Sequence, residues 1–133
     1  MLVIDESISE IEVWRLREWR IAVRVIGDDL ADKSVSDENI LPLLHRLKQP
    51  TFFTRDRDFW KAELCHTRYA LVYMDISEHE GLIAAYIRRL LRHPEFDTNG
   101  KRLGRVIHVH QTGVKFWECG TRALKAVKWE TEI

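Results

Sequence analysis

Four of the five β-forming runs in this chain end in a carboxylate, and that constrains the fold most. Leu2–Ile4 runs into Asp5, residues 21–26 into Gly27-Asp28-Asp29, Thr51–Thr54 into Arg55-Asp56, and residues 69–74 into Asp75. The fifth run, Arg105–His110, ends on histidine. Helical patterns fall between them. Ser7-Ile8-Ser9-Glu10 is an S-x-x-E capping box, and it predicts a helix to about residue 20 with Ile11 and Trp14 facing inward. Residues 37–48 carry Ile40, Leu43, Leu44 and Leu47 at helical spacing; Asn39 as N-cap would leave Pro42 in a tolerant first turn. A further helical stretch covers about 58–66. The strongest helix signal is Leu82, Ile83, Tyr86, Ile87, Leu90 and Leu91, an apolar stripe of 3.6-residue period after a second capping box at 77–80. It closes on Arg88, Arg89, Arg92 and His93 before Pro94. Thr112-Gly113 predicts a turn, with 114–117 returning as a short antiparallel strand, and the tail 118–133 reads as a weak helix. Strands alternating with helices predict a single α/β domain over 1–133: three layers, α/β/α, a mainly parallel five-stranded sheet, right-handed crossovers and one short C-terminal antiparallel strand.

Composition narrows the function classes. No apolar run reaches the roughly 18–20 residues of a membrane-spanning helix. The start, MLVIDES, has no basic segment before its apolar one, which argues against a secretory signal and for a cytoplasmic protein. Lys and Arg balance Asp and Glu at 21 each, so no overall basic footprint marks a nucleic-acid coat. The balance is uneven: residues 1–80 hold 11 basic and 16 acidic side chains, residues 81–133 hold 10 and 5. Cys65 and Cys119 stand far apart, outside any C-x-x-C, and read as reduced thiols.

In an open parallel sheet, ligands bind beyond the carboxyl ends of the strands. The strand-end aspartates would therefore converge there, with Asp37 and Asp58 close in sequence. A single Asp after a strand serves equally well as a turn or cap residue; the set is what points to a site. Clustered carboxylates repel, and a divalent cation relieves that repulsion. Mg²⁺ and Mn²⁺ take hard oxygen ligands, and such ions drive phosphodiester hydrolysis.

The stretches Ser36-Asp37-Glu38-Asn39-Ile40 and Thr54-Arg55-Asp56-Arg57-Asp58-Phe59, after Asp5-Glu6, resemble the PIN-like nuclease domains, in particular the small bacterial branch of toxin–antitoxin toxins. The resemblance covers about residues 2–117; Ser7 stands where Asn is common, and the tail after Glu118 has no counterpart. It implies an Mg²⁺- or Mn²⁺-dependent ribonuclease whose metal ligands or water-activating carboxylates are Asp5, Asp37, Asp56 and Asp58. Glu6 and Glu38 would be accessories, and Asp75 joins as a further strand-end carboxylate. Arg55, Arg57 and Trp60 flank the acidic motif and could hold RNA. A cognate antitoxin and a homodimer are the implied partners.

Two other readings stay open. A non-catalytic interaction module would keep the same acidic residues. A receiver domain also places acids after its first and third strands, as Asp5-Glu6 and Asp56 do, but here no Lys-Pro follows the fifth strand. His108 and His110 share a strand face at a spacing suited to zinc, without a third ligand.

Overall fold

The computed structural model describes residues 1–30, 37–77, 79–121 and 123–129; the side chain of Asp37 also lies outside the description. One seven-stranded sheet organises the chain. Its strands are β1 (Leu2–Ile4), β2 (Arg24–Val25), β3 (Thr51–Thr54), β4 (Ala70–Asp75), β5 (Arg105–His110), β6 (Gly113–Glu118) and β7 (Leu124–Lys128), in the order β2-β1-β3-β4-β5-β6-β7. The first five in that order pair in parallel; β6 and β7 add antiparallel. The helices are α1 (Glu10–Glu18), α2 (Asp37–Arg46), α3 (Leu82–Arg92) and α4 (Asn99–Arg102).

The expected α/β class and parallel core hold, but strand count and order differ from the expected sheet. The tail expected to be helical contains β7. Its residues are mostly exposed, so the sequence LKAVK offers no alternation to read; the open edge of β6 decides its conformation. The helix expected over 58–66 is two 3-10 turns, Arg57–Phe59 and Ala62–Leu64. Helix α2 starts at Asp37, not after Asn39, so Pro42 lies inside it. Pro42 is on the exposed side, where water can satisfy the carbonyl it leaves unpaired.

Side chains alternate between two cores. On one face Ile4, Phe53, Val72, Met74, Ile107 and Val109 pack with Val13 and Leu16 of α1 and Ile83, Ala84, Ile87 and Leu90 of α3. On the other, Val3, Phe52, Leu71 and Val106 pack with Ile40, Leu43 and Leu44 of α2 and Phe59. The inner face of α1 is thus Val13, Leu16 and Glu12; Ile11 and Trp14, expected inside, are exposed.

The crossovers do not all share one hand. The step β1–α1–β2 runs toward one edge of the sheet and β4–α3–β5 toward the other, yet α1 and α3 lie on the same face. The β2–α2–β3 step runs opposite to the first, on the opposite face, and so has the same hand as the first. The single common hand expected of the crossovers is therefore not kept: the α3 step has the opposite hand to the other two. A cap explains where α3 sits. Among the described residues no side chain just before the helix, Ser77 included, caps it; its N-cap is Gly81, at φ +80°. Instead the buried carboxylate of Glu12 reaches across from α1 and accepts from the N–H groups of Gly81 (2.7 Å) and Ala84 (2.8 Å). With α3 beside α1, the α2 face over β4 and β5 is covered by the segment carrying Phe59, Trp60, Leu64 and Cys65.

The cysteines correct a further expectation. Cys65 and Cys119 form a disulfide across 54 residues of sequence. Their separation in the chain hides their meeting, because Cys65 after the second 3-10 turn and Cys119 after β6 both pack beside Gly104.

Candidate functional site at the carboxyl edge of the sheet

The α2 face of the sheet changes character over one pleat. Val3, Phe52, Leu71, Val106 and Trp117 form one cross-strand row, apolar throughout. Two residues further along, Thr54 pairs with Tyr73, Tyr73 with His108, and His108 with Lys115. Continuing the β1–β3 register by one residue sets Asp5 beside Thr54, as the Asp5 N–H to Phe53 carbonyl bond of 2.9 Å requires. The row Asp5, Thr54, Tyr73, His108, Lys115 is therefore polar throughout, with Asp56, Asp75 and His110 above it. Its acidic end lies between β1 and β3, where the chain switches direction along the sheet and where doubly wound folds bind ligands.

Asp5 is buried and held by hydroxyls. Its Oδ2 accepts from Thr54 Oγ1 and from Ser7 Oγ, each at 2.7 Å. Those hydroxyl oxygens accept in turn: Thr54 Oγ1 from the Asp56 N–H and Ser7 Oγ from the Arg55 N–H, both at 3.0 Å. Ser7, expected to cap α1, is thus committed to the site, and Ser9 takes the N-cap position. The Asp56 backbone N–H is one hydroxyl away from the Asp5 carboxylate. Its Oδ1 accepts from the Asp58 N–H at 2.9 Å and caps the first 3-10 turn. Asp5 Oδ1 and Asp56 Oδ2 accept no hydrogen bond among the described residues.

Asp75 has a different neighbour. Its Oδ2 lies 2.9 Å from His108 Nε2, while His108 Nδ1 is buried without a partner among the described residues. Trp60 and Tyr73 pack on the His108 ring at 5.0 and 4.9 Å. Burial first, then Asp75, pushes the Tyr73 phenol above its ordinary value, against the opposing pull of Arg57 and Arg55; Asp56 adds to the rise. Tyr73 thus stays a hydrogen-bond donor. Burial, then His108 and Lys115, holds His110 below the usual imidazole value against the pull of Asp75.

The other expected residues scatter. Asp37 opens α2, but its side chain lies outside the described residues. Asp58 and Arg57 are exposed, and Glu38 is exposed on α2. Glu6 turns away to line a cavity between α1 and β2. Arg55 lines a cavity with Ser9, Glu12, His79 and Ile83, on the α1/α3 face. Trp60 is half-buried against His108 and Trp117. Arg88 and Arg89 of α3 stack over Trp19 (3.8 Å) and Trp129 (4.7 Å). Among the described residues no three His, Cys, Asp or Glu side chains converge as a metal group. Two carboxylates with an oxygen to spare fit Mg²⁺, which commonly takes one or two carboxylates and completes its shell with water and phosphate. Sequence reading missed Thr54, Tyr73 and the Asp75–His108 pair. The signal was present: alternate residues ending three neighbouring strands are polar or ionisable.

Comparison of the chain with protein-family models, curated proteins and solved structures gives no match.

Proposed function

We propose that this chain is an Mg²⁺- or Mn²⁺-dependent ribonuclease of PIN-like, three-layer type, acting in the cytoplasm as the toxin of a toxin–antitoxin pair. The observation that carries the reading is two strand-end aspartates at the β1/β3 switch point, where Thr54 Oγ1 ties the Asp5 carboxylate to the Asp56 backbone N–H. A divalent ion at such an edge supplies Lewis acidity toward a phosphodiester and a more acidic bound water. Asp5 and Asp56 would hold it through the oxygens that the network leaves open. Thr54 and Ser7 keep the Asp5 carboxylate from turning. Tyr73, kept protonated, donates to a phosphate oxygen, and Arg57 adds positive charge beside it. Asp37, Asp58, Glu6 and Glu38 have lesser parts in this reading, and RNA, a cognate antitoxin and a second copy are its partners. The test is cleavage of a structured RNA by purified protein in Mn²⁺, with Asp5→Asn and Asp56→Asn as controls. Cleavage that both substitutions abolish supports the proposal; no cleavage, or cleavage that both variants retain, overturns it.

Strand order favours a second reading. The parallel strands run 2-1-3-4-5, the order of receiver domains. Asp56 would then be the phosphoacceptor. Against this stand Asp75 at the end of β4, His110 at the end of β5, and α3 on the face of α1. Incorporation of phosphate from acetyl phosphate into wild type but not Asp56→Asn would favour it.

A further inference from the structure

We infer that the outer face of α1, with the cavity beside it, docks a cationic amphipathic helix of a partner protein. Helix α1 is apolar on two sides. Val13 and Leu16 enter the core, while Ile11 and Trp14 stand outside at 38% and 54% exposure. They are two of the three large apolar side chains exposed among the described residues, and one helical turn places them together. Beside Trp14 opens a cavity of about 350 Å³, floored by Ile8, Val13, Val25 and Ile26. Such a volume takes one or two anchoring side chains, and a rigid aromatic beside an apolar pocket is the usual centre of binding energy in an interface.

Two further observations select the occupant. The first is charge. Glu6 and Glu10 line the cavity, and the one cation among its described lining residues, Arg17, is already paired with Asp29 at 3.0 Å. An apolar pocket inside an acidic rim favours basic residues around an apolar anchor. The second is backbone. A strand cannot add to β2, although β2 is the sheet edge nearest the cavity. The Val25 N–H donates to Asp29 Oδ2 at 2.9 Å, and the Val25 carbonyl accepts from Asp28, Asp29 and Leu30. With that edge closed, recognition falls to side chains, as when an amphipathic helix lies in a groove. The inference does not rest on the ribonuclease reading, because it uses neither Asp5 nor Asp56.

The test titrates the full chain with a fluorescent 14-residue Leu/Lys amphipathic helix and reads anisotropy at low salt. A Leu/Glu helix of the same pattern and a scrambled Leu/Lys peptide are controls. The expected result is saturable binding of the Leu/Lys helix, about tenfold or more weaker for both controls and for Trp14→Ala. Glu6→Gln with Glu10→Gln should weaken binding about threefold to tenfold and flatten its salt dependence. Circular dichroism melts of the variants should match wild type, since the substituted side chains are exposed. Equal binding of the Leu/Glu helix or the scrambled peptide, or full binding by Trp14→Ala, would overturn the inference. So would a concentration-dependent dimer that Trp14→Ala abolishes, because the occupant would then be a second copy.

Discussion

At the residue scale, the site depends on hydroxyls as much as on carboxylates. Thr54 is fully buried; it donates to Asp5 and accepts from the Asp56 N–H. Thr54→Val keeps the shape but leaves Asp5 Oδ2 with Ser7 as its one hydroxyl donor and strands the Asp56 backbone donor. The expected loss is about 1–3 kcal/mol in urea unfolding, with Thr54→Ser losing less. Equal stability of the valine variant would mean that the network is not formed. His110 gives a pH dependence. Its folded value lies below the ordinary imidazole value of 6.5, so the unfolded chain binds this proton more readily. Its contribution is therefore fully present above that value and lost as pH falls through it toward the folded value. His110→Gln should lose less stability than wild type as pH falls through 6.5 toward the lower folded value. Parallel losses in the two proteins would contradict the assignment. Asp5 and Asp56 were legible as strand-end carboxylates. Tyr73 and His108 were legible only as polar residues near their strand ends; that they stand beside Thr54 and each other comes from strand register, which no local pattern encodes.

At the element scale, one buried carboxylate sets the position of a helix. Glu12 satisfies two N–H groups at the start of α3 that its own sequence leaves without a side-chain cap. Glu12→Ala should cost roughly 2–4 kcal/mol, since it orphans buried donors and removes the tie to α1. Glu12→Gln keeps one acceptor and should fall between. Hydrogen exchange at Gly81 and Ala84 would show the loss locally; unchanged protection would refute the cap. The body of α3 was plain from its apolar stripe, and strands β1, β3, β4 and β5 from their β-rich runs. What sequence concealed was tertiary. The capping box at 77–80 is locally sound, yet a side chain about 70 positions upstream supplies the acceptors. Strand β7 exists because β6 offers an edge, not because LKAVK demands it.

At the scale of the whole molecule, one covalent tie fastens the antiparallel end of the sheet to the middle of the chain. The Cys65–Cys119 bridge links the middle of the chain to the turn after β6 across 54 residues. Reduction, or the double substitution Cys65→Ser with Cys119→Ser, should lower stability by about 2–4 kcal/mol. Identical melts with and without reductant would show that the pair does not constrain the protein. With α1 and α3 on one face, the polar row from Asp5 to Lys115 lies on the other, the face that α2 packs on. The acidic end of this row is the proposed seat of a divalent ion. Thermal melts in EDTA and in Mn²⁺ test it most directly. A ligand at a hundred times its Kd stabilises by about 2.7 kcal/mol, several degrees for a domain of this size. Wild type should melt higher by that amount in Mn²⁺. Asp56→Asn, which can still cap the 3-10 turn, should melt close to wild type in EDTA and gain much less from Mn²⁺. A wild type indifferent to Mn²⁺, or a variant that gains as much, would contradict the account.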